Sequence, residues 1–378
     1  MELTKCKLGE LITQRREKND GSDLPICGVS KDGLIPPKQI DADTSIYNVF
    51  YRDDFIFNPA RMELNSIAIN DKYDRAICSS LYEVFYVHRT DLLLPHFLKL
   101  IVKQPWFTRY CEFLGQGSAR EYCRFNNISE IEIEFPSLEE QEKIVNQYSA
   151  IQNRIFIKKQ INDNLANTEQ AILVETISKY QTEPTVLGDL VDFIDGDRGK
   201  NYPTFDEFTS TGYCLFLNAS NVPSTGFNFD TCMFVTEEKD KMMNKGHLSP
   251  YDIVLTSRGT LGNVALYDKH IKYENVRINS GMLIIRPKSK QISPYFIYAL
   301  LKSSYMKAAI ERFKSGSAQP QLPIKDLQKI TFEIPQSDAV LADLDRQFLS
   351  IEESISINNK EIDNLKELST VLLAELSR

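Results

Sequence analysis

The sequence lacks the features that identify membrane, secreted and metal-binding proteins. No stretch approaches about 18 uninterrupted apolar residues, and residues 1–10 contain no apolar run before a small-residue cleavage site. The seven cysteines form no CxxC pair and are odd in number, and the four histidines make no HExxH spacing. We therefore expect a soluble, cytoplasmic chain with buried thiols, without a disulfide framework or a metal site.

Recognisable catalytic motifs are also missing. Asn58-Pro59 is followed by Ala60-Arg61, whereas an adenine methyltransferase motif needs a second proline and an aromatic ring that holds a flipped base. The stretch 196–200 departs from a phosphate-binding loop, because Asp precedes it and Asn201 replaces the Ser or Thr that would hold Mg²⁺. No Ser-His-Asp or paired-carboxylate spacing stands out. We predict a noncatalytic chain, in which both stretches are turns.

The sequence has no overall excess of positive charge, which argues at first against nucleic-acid binding. The net charge is −8, but residues 1–128 hold 17 basic and 17 acidic side chains, and residues 187–329 hold 18 and 15. The acidic excess lies outside them: residues 336–378 hold 4 basic and 9 acidic side chains, and five more acids lie in short connectors. Two large parts of the chain are thus neutral to mildly basic.

What the chain does contain is an internal repeat. Gly117-Ser118-Ala119 with Ile131, Glu134 and Pro136 returns 199 positions later as Gly316-Ser317-Ala318 with Ile330, Glu333 and Pro335. At an offset of 200, residues 144–175 share nine identities with residues 344–375. So long a period indicates a duplicated domain rather than a solenoid.

Both copies of the repeat end in a long amphipathic segment. Apolar residues recur at spacings of three and four from residue 138 to about 178 and from 340 to 376, without Pro or Gly. We predict two helices of about 60 Å each, from a rise of 1.5 Å per residue. Their apolar stripes are expected to form an antiparallel intramolecular coiled coil; the alternative is that each stripe packs on its own neighbouring domain. The predicted interface residues are Ile144, Tyr148, Ile151, Ile155, Leu165, Leu344, Phe348, Ile351, Ile355 and Leu365.

Two bodies precede the helices, with similar beginnings and different middles. Leu8-Gly9-Glu10-Leu11 matches Leu187-Gly188-Asp189-Leu190, so the second body is longer by 20 residues. Both bodies mix short β-rich runs with helical segments, which predicts mixed α/β or α+β domains in a pseudo-two-fold duplication. The runs include 66–70, 82–88, 252–256 and 281–287, and the helical segments lie near 95–113 and 294–313. The predicted boundaries are 1–136 and 181–335 for the bodies and 137–180 and 336–378 for the helices.

Both bodies carry Gly-rich polar turns that suit DNA recognition. Arg can bind guanine through two hydrogen bonds, Asn and Gln bind adenine, and hydroxyl groups bind phosphate. The alternative is that these are ordinary solvated turns. The candidate DNA-binding residues are Ser30, Lys31, Asn58, Arg61, Gln116, Ser118 and Arg120 in the first body, and Asn218, Ser220, Asn221, Ser257, Arg258, Thr260, Ser317 and Gln319 in the second.

The layout resembles the specificity subunit of a type I restriction-modification system over essentially the whole chain. The resemblance is carried by the duplicated order of body and helix, by the Gly-Ser-Ala turn with its following strand, by the Glu139-Glu140-Gln141 helix opening, and by residues 161–165 and 257–262. It implies two target-recognition domains, each of which recognises one half of a split DNA site, and an antiparallel helical spacer that fixes the gap.

The resemblance also implies partners. Two modification subunits would dock on the helices and methylate a flipped adenine with S-adenosylmethionine, and translocating restriction subunits would join them. No cofactor is expected on this chain, since S-adenosylmethionine, ATP and Mg²⁺ would belong to the partners. The residues leave two other classes open: a coiled-coil scaffold that does not recognise DNA sequence, and an enzyme with dispersed active-site residues, which would show a deep pocket.

Overall fold

The fold is taken from a computed structural model, which describes residues 3–37, 43–115, 122–288, 292–313 and 321–376. The chain divides into two compact units. Unit 1 comprises Met1–Ile157 and Ile362–Arg378, and unit 2 comprises Lys158–Glu361. Within the described ranges, no helix is long and apolar enough to cross a membrane.

The elements of the first body lie in unit 1, and the long helix α4 follows them. The strands are β1 (Thr4–Lys7), β2 (Ile12–Arg15), β3 (Ile26–Ser30), β4 (Gly33–Ile35), β5 (Asn48–Tyr51), β6 (Phe55–Phe57), β7 (Ile67–Ile69), β8 (Arg75–Cys78), β9 (Glu83–Val87) and β10 (Glu132–Phe135). The helices are α1 (Pro95–Val102), α2 (Pro105–Gly115), α3 (Phe125–Ser129) and α4 (Leu138–Lys179).

The elements of the second body lie in unit 2, and the long helix α10 follows them. The strands are β11 (Thr182–Val186), β12 (Val191–Asp195), β13 (Cys214–Leu217), β14 (Phe234–Val235), β15 (Ile253–Thr256), β16 (Val264–Leu266), β17 (Val276–Ile278), β18 (Met282–Pro287) and β19 (Thr331–Pro335). The helices are α5 (Leu187–Leu190), α6 (Glu237–Met242), α7 (Pro294–Lys302), α8 (Ser304–Phe313), α9 (Ile324–Leu327) and α10 (Asp338–Glu375).

The two units have matching sheets. One sheet is antiparallel, with the order β2-β9-β6-β7 in unit 1 and β12-β18-β15-β16 in unit 2. A second sheet is built around one parallel pair, β3 with β8 in unit 1 and β13 with β17 in unit 2. The duplication seen in the sequence is therefore a duplication of strand order.

The residues shared by the two bodies close each unit. In unit 1, β1 pairs with β10, and the Leu8 N–H donates to the Ile131 carbonyl at 2.8 Å. In unit 2, β11 pairs with β19, and the Leu187 N–H donates to the Ile330 carbonyl at 2.7 Å. The repeated Leu-Gly opening and the repeated strand after the Gly-Ser-Ala turn are thus hydrogen-bonded neighbours.

The long helices confirm the sequence prediction, and they run antiparallel within each unit. In unit 1, Gln152 donates to the Ser369 hydroxyl at 3.0 Å. In unit 2, Asn162 donates to Asn359 at 2.9 Å, and Lys158, four residues earlier in α4, lies 2.8 Å from Glu361. Rising numbers along α4 thus face falling numbers along α10.

The predicted interface residues divide between two kinds of packing. Ile144 and Tyr148 join the core of unit 1, and Leu344 and Phe348 join the core of unit 2. These four residues follow the alternative prediction, in which a stripe packs on its own domain. Buried or half-buried positions farther along the helices are Ile151, Ile155, Leu165, Ile351, Ile355 and Leu365. The two helices therefore pack together as predicted, and each also contributes residues to the core of each unit.

Most of the predicted runs are present as elements. The segments around 66–70, 82–88, 252–256 and 281–287 form β7, β9, β15 and β18, and the two helical segments are α1 with α2 and α7 with α8. The predicted domain boundaries stay a prediction. Compactness groups half of each long helix with a body, so that both units contain parts of α4 and α10.

Candidate nucleic-acid interface

Unit 2 gathers four polar loops at one end of its strands. We call residues 196–201, 218–221, 257–262 and 279–281 the loop edge of unit 2. Asp195 pairs with Leu283, and Thr256 pairs with Met282, so the ends of β12 and β15 meet the start of β18. The parallel pair β13 and β17 ends at Leu217 and Ile278. Sheet register thereby brings together loops that lie far apart in sequence.

Backbone hydrogen bonds connect these loops. The Ser257 and Arg258 N–H groups both donate to the Gly281 carbonyl, at 2.8 and 3.1 Å. The Asn279 N–H donates to the Leu217 carbonyl at 3.2 Å, and the Gly281 N–H donates to Asn279 Oδ1 at 2.9 Å. The loop edge of unit 2 is therefore a connected surface, whose side chains are held in fixed relation.

Two glycines explain the Ser-Arg-Gly-Thr-Leu-Gly stretch at 257–262. Gly259 and Gly262 have φ of +72° and +82°, a left-handed conformation that costs a residue with a Cβ atom. A Cβ at Gly262 would also lie 2.7 Å from Cδ1 of Ile310. The glycine spacing is thus a backbone requirement of the turn that carries Arg258 and Thr260.

Several predicted residues of the second body lie on this edge with groups available to a ligand. Thr260 is exposed and Arg258 is half-buried, and the Arg258 guanidinium has no hydrogen-bond or ion-pair partner among the described residues. Asn218 uses Oδ1 to accept from the Ser220 N–H at 2.9 Å, while the exposed Ser220 donates its hydroxyl proton to the same oxygen at 2.6 Å. DNA contact by these four residues stays a prediction.

Two predicted contact residues are buried and hydrogen-bonded within the protein, and their DNA contact stays a prediction. Asn221 is fully buried, and its amide donates to the carbonyls of Asn228 and Thr231 at 3.0 and 2.8 Å. Ser257 is 5% exposed and donates to the Gly281 carbonyl at 3.1 Å. Both side chains hydrogen-bond to the backbone of other loops. Composition alone does not distinguish this structural role from ligand binding.

The stretch 196–201, which the sequence predicts to be a turn, lies on the same edge. The buried carboxylate of Asp197 accepts from the N–H groups of Gly199 and Asn244, each at 2.7 Å. These backbone donors, the Gly199 N–H first, hold the pKa of Asp197 below its usual value. Arg198 and Lys200 are exposed. The sequence contained these basic residues but gave no sign that they adjoin Arg258.

Unit 1 has a corresponding edge of different construction. We call residues 30–33, 58–66, 79–83 and 122–124 the loop edge of unit 1. The Ser66 hydroxyl donates to the Val29 carbonyl at 3.1 Å, and the Cys123 N–H donates to the Pro59 carbonyl at 3.0 Å. Phe57 pairs with Glu83 across the sheet. The edge forms at the same ends of the equivalent strands.

The predicted residues of the first body are divided between structural and exposed roles. Ser30 Oγ accepts from the Asp32 N–H, and Asn58 caps the turn of 3₁₀-helix Pro59–Leu64 by accepting from the Ala60 N–H at 3.1 Å. Lys31 and Arg61 are exposed, and their charged groups lack an ion-pair partner in the described part of the chain. DNA contact by all four residues stays a prediction.

Glu83 organises the loop edge of unit 1. Its carboxylate accepts from the Phe125 N–H at 2.7 Å and from Gln14 at 3.3 Å, and it lies 3.2 Å from Arg124. Gln14 in turn accepts from Arg16 at 2.8 Å. Arg16 and Arg124 are exposed basic residues at this network that sequence analysis missed, because no local motif surrounds them.

The remaining candidates cannot be placed. Gln116, Ser118, Arg120, Ser317 and Gln319 lie outside the described residues.

One group of potential metal ligands occurs in the described part of unit 2. Donor atoms of Cys214, Asp240 and His247 lie within 4.8 Å of one another. The Asp240 carboxylate, however, is ion-paired with the buried Arg277 guanidinium. Burial also raises the pKa of the Cys214 thiol, which opposes formation of the thiolate that a metal needs. The cluster therefore has the character of a structural ion pair.

Comparison with known proteins identifies a family. The family described as "Type I restriction modification DNA specificity domain" matches residues 5–167 and 181–367. The match thus includes both bodies and most of both long helices.

Individual relatives are distant. The chain is 23% identical over 314 residues to the type I restriction enzyme MjaIX specificity subunit of Methanocaldococcus jannaschii, covering 76% of this chain and 69% of that protein. Its fold is similar to the crystal structure of a type I restriction-modification system S subunit from M. genitalium, with a TM-score of 0.58 and 19% identity. That alignment covers 99% of this chain and 96% of the other. The structural likeness supports the fold.

Proposed function

Because the chain belongs to the type I restriction-modification DNA specificity family, whose members are noncatalytic specificity subunits, we propose that each of its units recognises one half of a split DNA site. The observation that carries this proposal is the repeated frame with two differently built loop edges. Two independent half-sites need two recognition surfaces that can differ in side chains while their supports stay the same. Recognition of one continuous site would not need a duplicated support.

The side chains on the two edges suit direct recognition of DNA. Arg61 in unit 1 and Arg258 in unit 2 can bind the O6 and N7 acceptors of guanine through two hydrogen bonds in the major groove. Lys31 can neutralise a phosphate, and the Asn218 amide nitrogen can donate to a base acceptor. We assign Arg61 and Arg258 the main base contacts, since both guanidinium groups lack an ion-pair partner among the described residues.

The long helices supply the spacer in this proposal. Each runs without interruption, α4 over 42 residues and α10 over 38, and each contributes to both cores. Such a helix pair can fix the gap between half-sites, because a helix lengthens only in steps of about 1.5 Å per residue. The same helices would dock two modification subunits, and restriction and translocation subunits would join that complex. S-adenosylmethionine, ATP and Mg²⁺ would be bound by these partners, and the assembly would act on DNA in the cytoplasm.

The test is to co-express the chain with the modification subunit from the same genome and to map methylated adenines by single-molecule sequencing. We expect a split motif with a constant gap. A continuous motif would mean that only one unit recognises DNA. A stable complex without sequence-dependent methylation would instead favour the scaffold function, in which the helices assemble partners only.

A pair of variants assigns the half-sites. Arg258→Ala should relax one position of one half-site by about 1–3 kcal/mol and leave the other half unchanged, and Arg61→Ala should do the reverse. Equal weakening at every sequence would mark either arginine as a phosphate contact.

An insertion in register into both long helices should alter the gap alone, and an unchanged gap would contradict the spacer proposal.

A further inference from the structure

We propose that the loop formed by residues 196–201 is a second DNA contact of unit 2, in which Arg198 recognises a base edge and Lys200 binds a backbone phosphate. This inference rests on the proposed function and extends it to residues without a motif. It is carried by three observations: the loop adjoins the turn of Arg258, its backbone is fixed from inside, and its two cations face outward.

The loop is fixed by a buried acid. Asp197 is 7% exposed and accepts the N–H of Gly199 from its own loop and of Asn244 from the chain after α6. Asn201 donates its amide to the Met242 carbonyl at 2.8 Å, which adds a second tie to the same segment. A carboxylate that binds backbone N–H groups holds them more firmly than a neutral acceptor does. The conformation of the loop is therefore fixed before any ligand binds.

Close backbone packing holds the loop against the rest of the edge. A Cβ atom at Gly196 would lie 2.2 Å from the Asn279 carbonyl oxygen, so that only glycine fits there. Gly246, with φ of +85°, packs against the other side, where a Cβ would lie 3.2 Å from the Gly196 Cα. The 196–201 loop and the 279–281 loop consequently touch, and the latter also accepts the Arg258 N–H.

Arg198 is held in place at one nitrogen while its other donors stay available. One terminal nitrogen donates to Asp195 Oδ1 at 3.0 Å and to the Ser280 carbonyl at 3.3 Å. The side chain nevertheless stays 46% exposed, and its other N–H groups have no acceptor among the described residues. An arginine anchored through Nη2 loses little side-chain entropy on binding and keeps its Nε and Nη1 donors for a base acceptor such as O6 or N7 of guanine.

Lys200 has the opposite character. It is exposed, and its ammonium group has no ion-pair partner within the described ranges. A flexible lysine without a partner binds phosphate as a point charge and carries no base preference.

The experiment compares alanine variants of Arg198, Lys200 and Lys329 in the assembled complex with modification subunits. Lys329 is a matched control, since it is 71% exposed and lies next to Gln328, whose carbonyl accepts the Gly188 N–H before β12 begins, away from the loop edge. Binding to duplexes with every single-base change in the site is measured from low to moderate salt, and methylation motifs are mapped in cells.

We expect Lys200→Ala to weaken binding to all duplexes alike and to reduce the slope of log affinity against log salt by about one. Arg198→Ala should reduce the preference at one position of the half-site recognised by unit 2 by about 5- to 150-fold, from about 1–3 kcal/mol per paired contact. Arg198→Lys keeps the charge but loses the planar guanidinium, which can be anchored at one nitrogen while it donates from another, so it should fail to restore that preference. Lys200→Arg should restore binding.

Behaviour like that of Lys329→Ala would overturn the assignment for either residue. A uniform loss of affinity in Arg198→Ala would overturn base recognition by Arg198. Failure of this inference is distinct from failure of the proposed function: in the first case the unchanged chain still yields a split motif that Arg258→Ala alters, and in the second it yields none.

Discussion

The two units are alike in the paired first and last strands that close them, and they differ in the construction of their loop edges. Both begin with Leu-Gly, both pair their first and last strands, and both build an antiparallel sheet of the same order. The loop edge of unit 1 is organised by Glu83, which binds a helix start and neighbouring side chains. The loop edge of unit 2 is organised by Asp197 and by left-handed glycines. A constant support thus carries two independently constructed surfaces.

The units differ also where the long helices enter their cores. In unit 2, Lys302 at the end of α7 lies 2.6 Å from Glu169 of α4 and 2.5 Å from Glu352 of α10, above the Tyr298 ring. In unit 1 a hydrogen bond between neutral groups joins body and helix, since Gln104 donates to the Leu373 carbonyl at 2.9 Å. One helix pair is therefore joined to one body by buried charge and to the other by amide hydrogen bonds.

The largest expected effect follows from this contrast. Lys302→Ala leaves two acids, one of them fully buried, without their cation and should destabilise unit 2 by about 3–5 kcal/mol. Gln104→Ala should cost unit 1 about 1 kcal/mol. Hydrogen exchange of peptides from α7 and α1 under increasing urea measures the two units separately. Equal losses of stability in the two units would show that the buried charges around Lys302 stabilise unit 2 no more than the Gln104 hydrogen bond stabilises unit 1.

A pH dependence should separate the units next. Burial, with the charge of Glu352, raises the pKa of Glu169 to about 7, although Lys302 opposes the shift. The folded state then holds this proton more tightly than the unfolded state, so the free energy of unfolding of unit 2 should fall by roughly 2–3 kcal/mol as pH rises from about 4.5 through about 7.

Glu169→Gln is the control, because it removes the titration and keeps the shape. The difference in the free energy of unfolding between the parent chain and this variant, measured by hydrogen exchange, should change with pH for α7 peptides. For α1 peptides it should stay constant. A constant difference in both units would contradict the assigned origin.

Glu83→Ala and Asp197→Ala test whether the two surfaces are independent. Glu83→Ala leaves the Phe125 N–H without its acceptor, and Asp197→Ala does the same to the N–H groups of Gly199 and Asn244, so each should destabilise its own loop edge by about 2 kcal/mol. Each should also reduce sequence specificity at one half-site and leave the other unchanged, as measured by methylation of partly matching sites. If either variant altered both halves, the separate construction of the edges would not extend to function.

The smallest effect should be the same in both units. A Cβ atom at Gly9 would lie 3.0 Å from the Ser129 carbonyl oxygen, and one at Gly188 would lie 3.0 Å from the Gln328 carbonyl oxygen. Gly9→Ala and Gly188→Ala should therefore each cost about 1 kcal/mol through overpacking. Thermal unfolding of the two variants measures this, and clearly unequal losses would break the equivalence of the frames.

Sequence reasoning reached the elements that local periodicity encodes. The uninterrupted apolar spacing predicted α4 and α10, and β-rich runs predicted β9 and β18, because both patterns are readable within one segment. The antiparallel pairing of the long helices was also predicted, but the packing of part of their apolar stripes on the bodies was left as an alternative. Ile144 and Leu344 carry the same apolar signal whether they face another helix or a domain core, and only the long-range fold separates these cases.

The candidate site was reachable only in part. Arg258 and Thr260 stand beside glycines whose spacing marks a turn, so the sequence could nominate them. Asn221 has the same polar character, but its side-chain amide already donates to the carbonyls of residues 7 and 10 positions further along the chain. Arg198 and Arg124 meet their neighbours through sheet register, and no local pattern records such proximity.

The pairing of first and last strands has a consequence for how this chain can vary. Within each unit the backbone leaves the body beside the point where it entered, one hydrogen bond away at Leu8 and Ile131 and again at Leu187 and Ile330. Everything between those points behaves as a cassette that meets the long helices through its own core and polar contacts, such as Gln104 with Leu373 and Lys302 with Glu169. A body from another chain could be exchanged at these positions if it kept the two flanking strands and the side chains that pack on the long helices. Under the proposed function, such an exchange by recombination would bring a new DNA site.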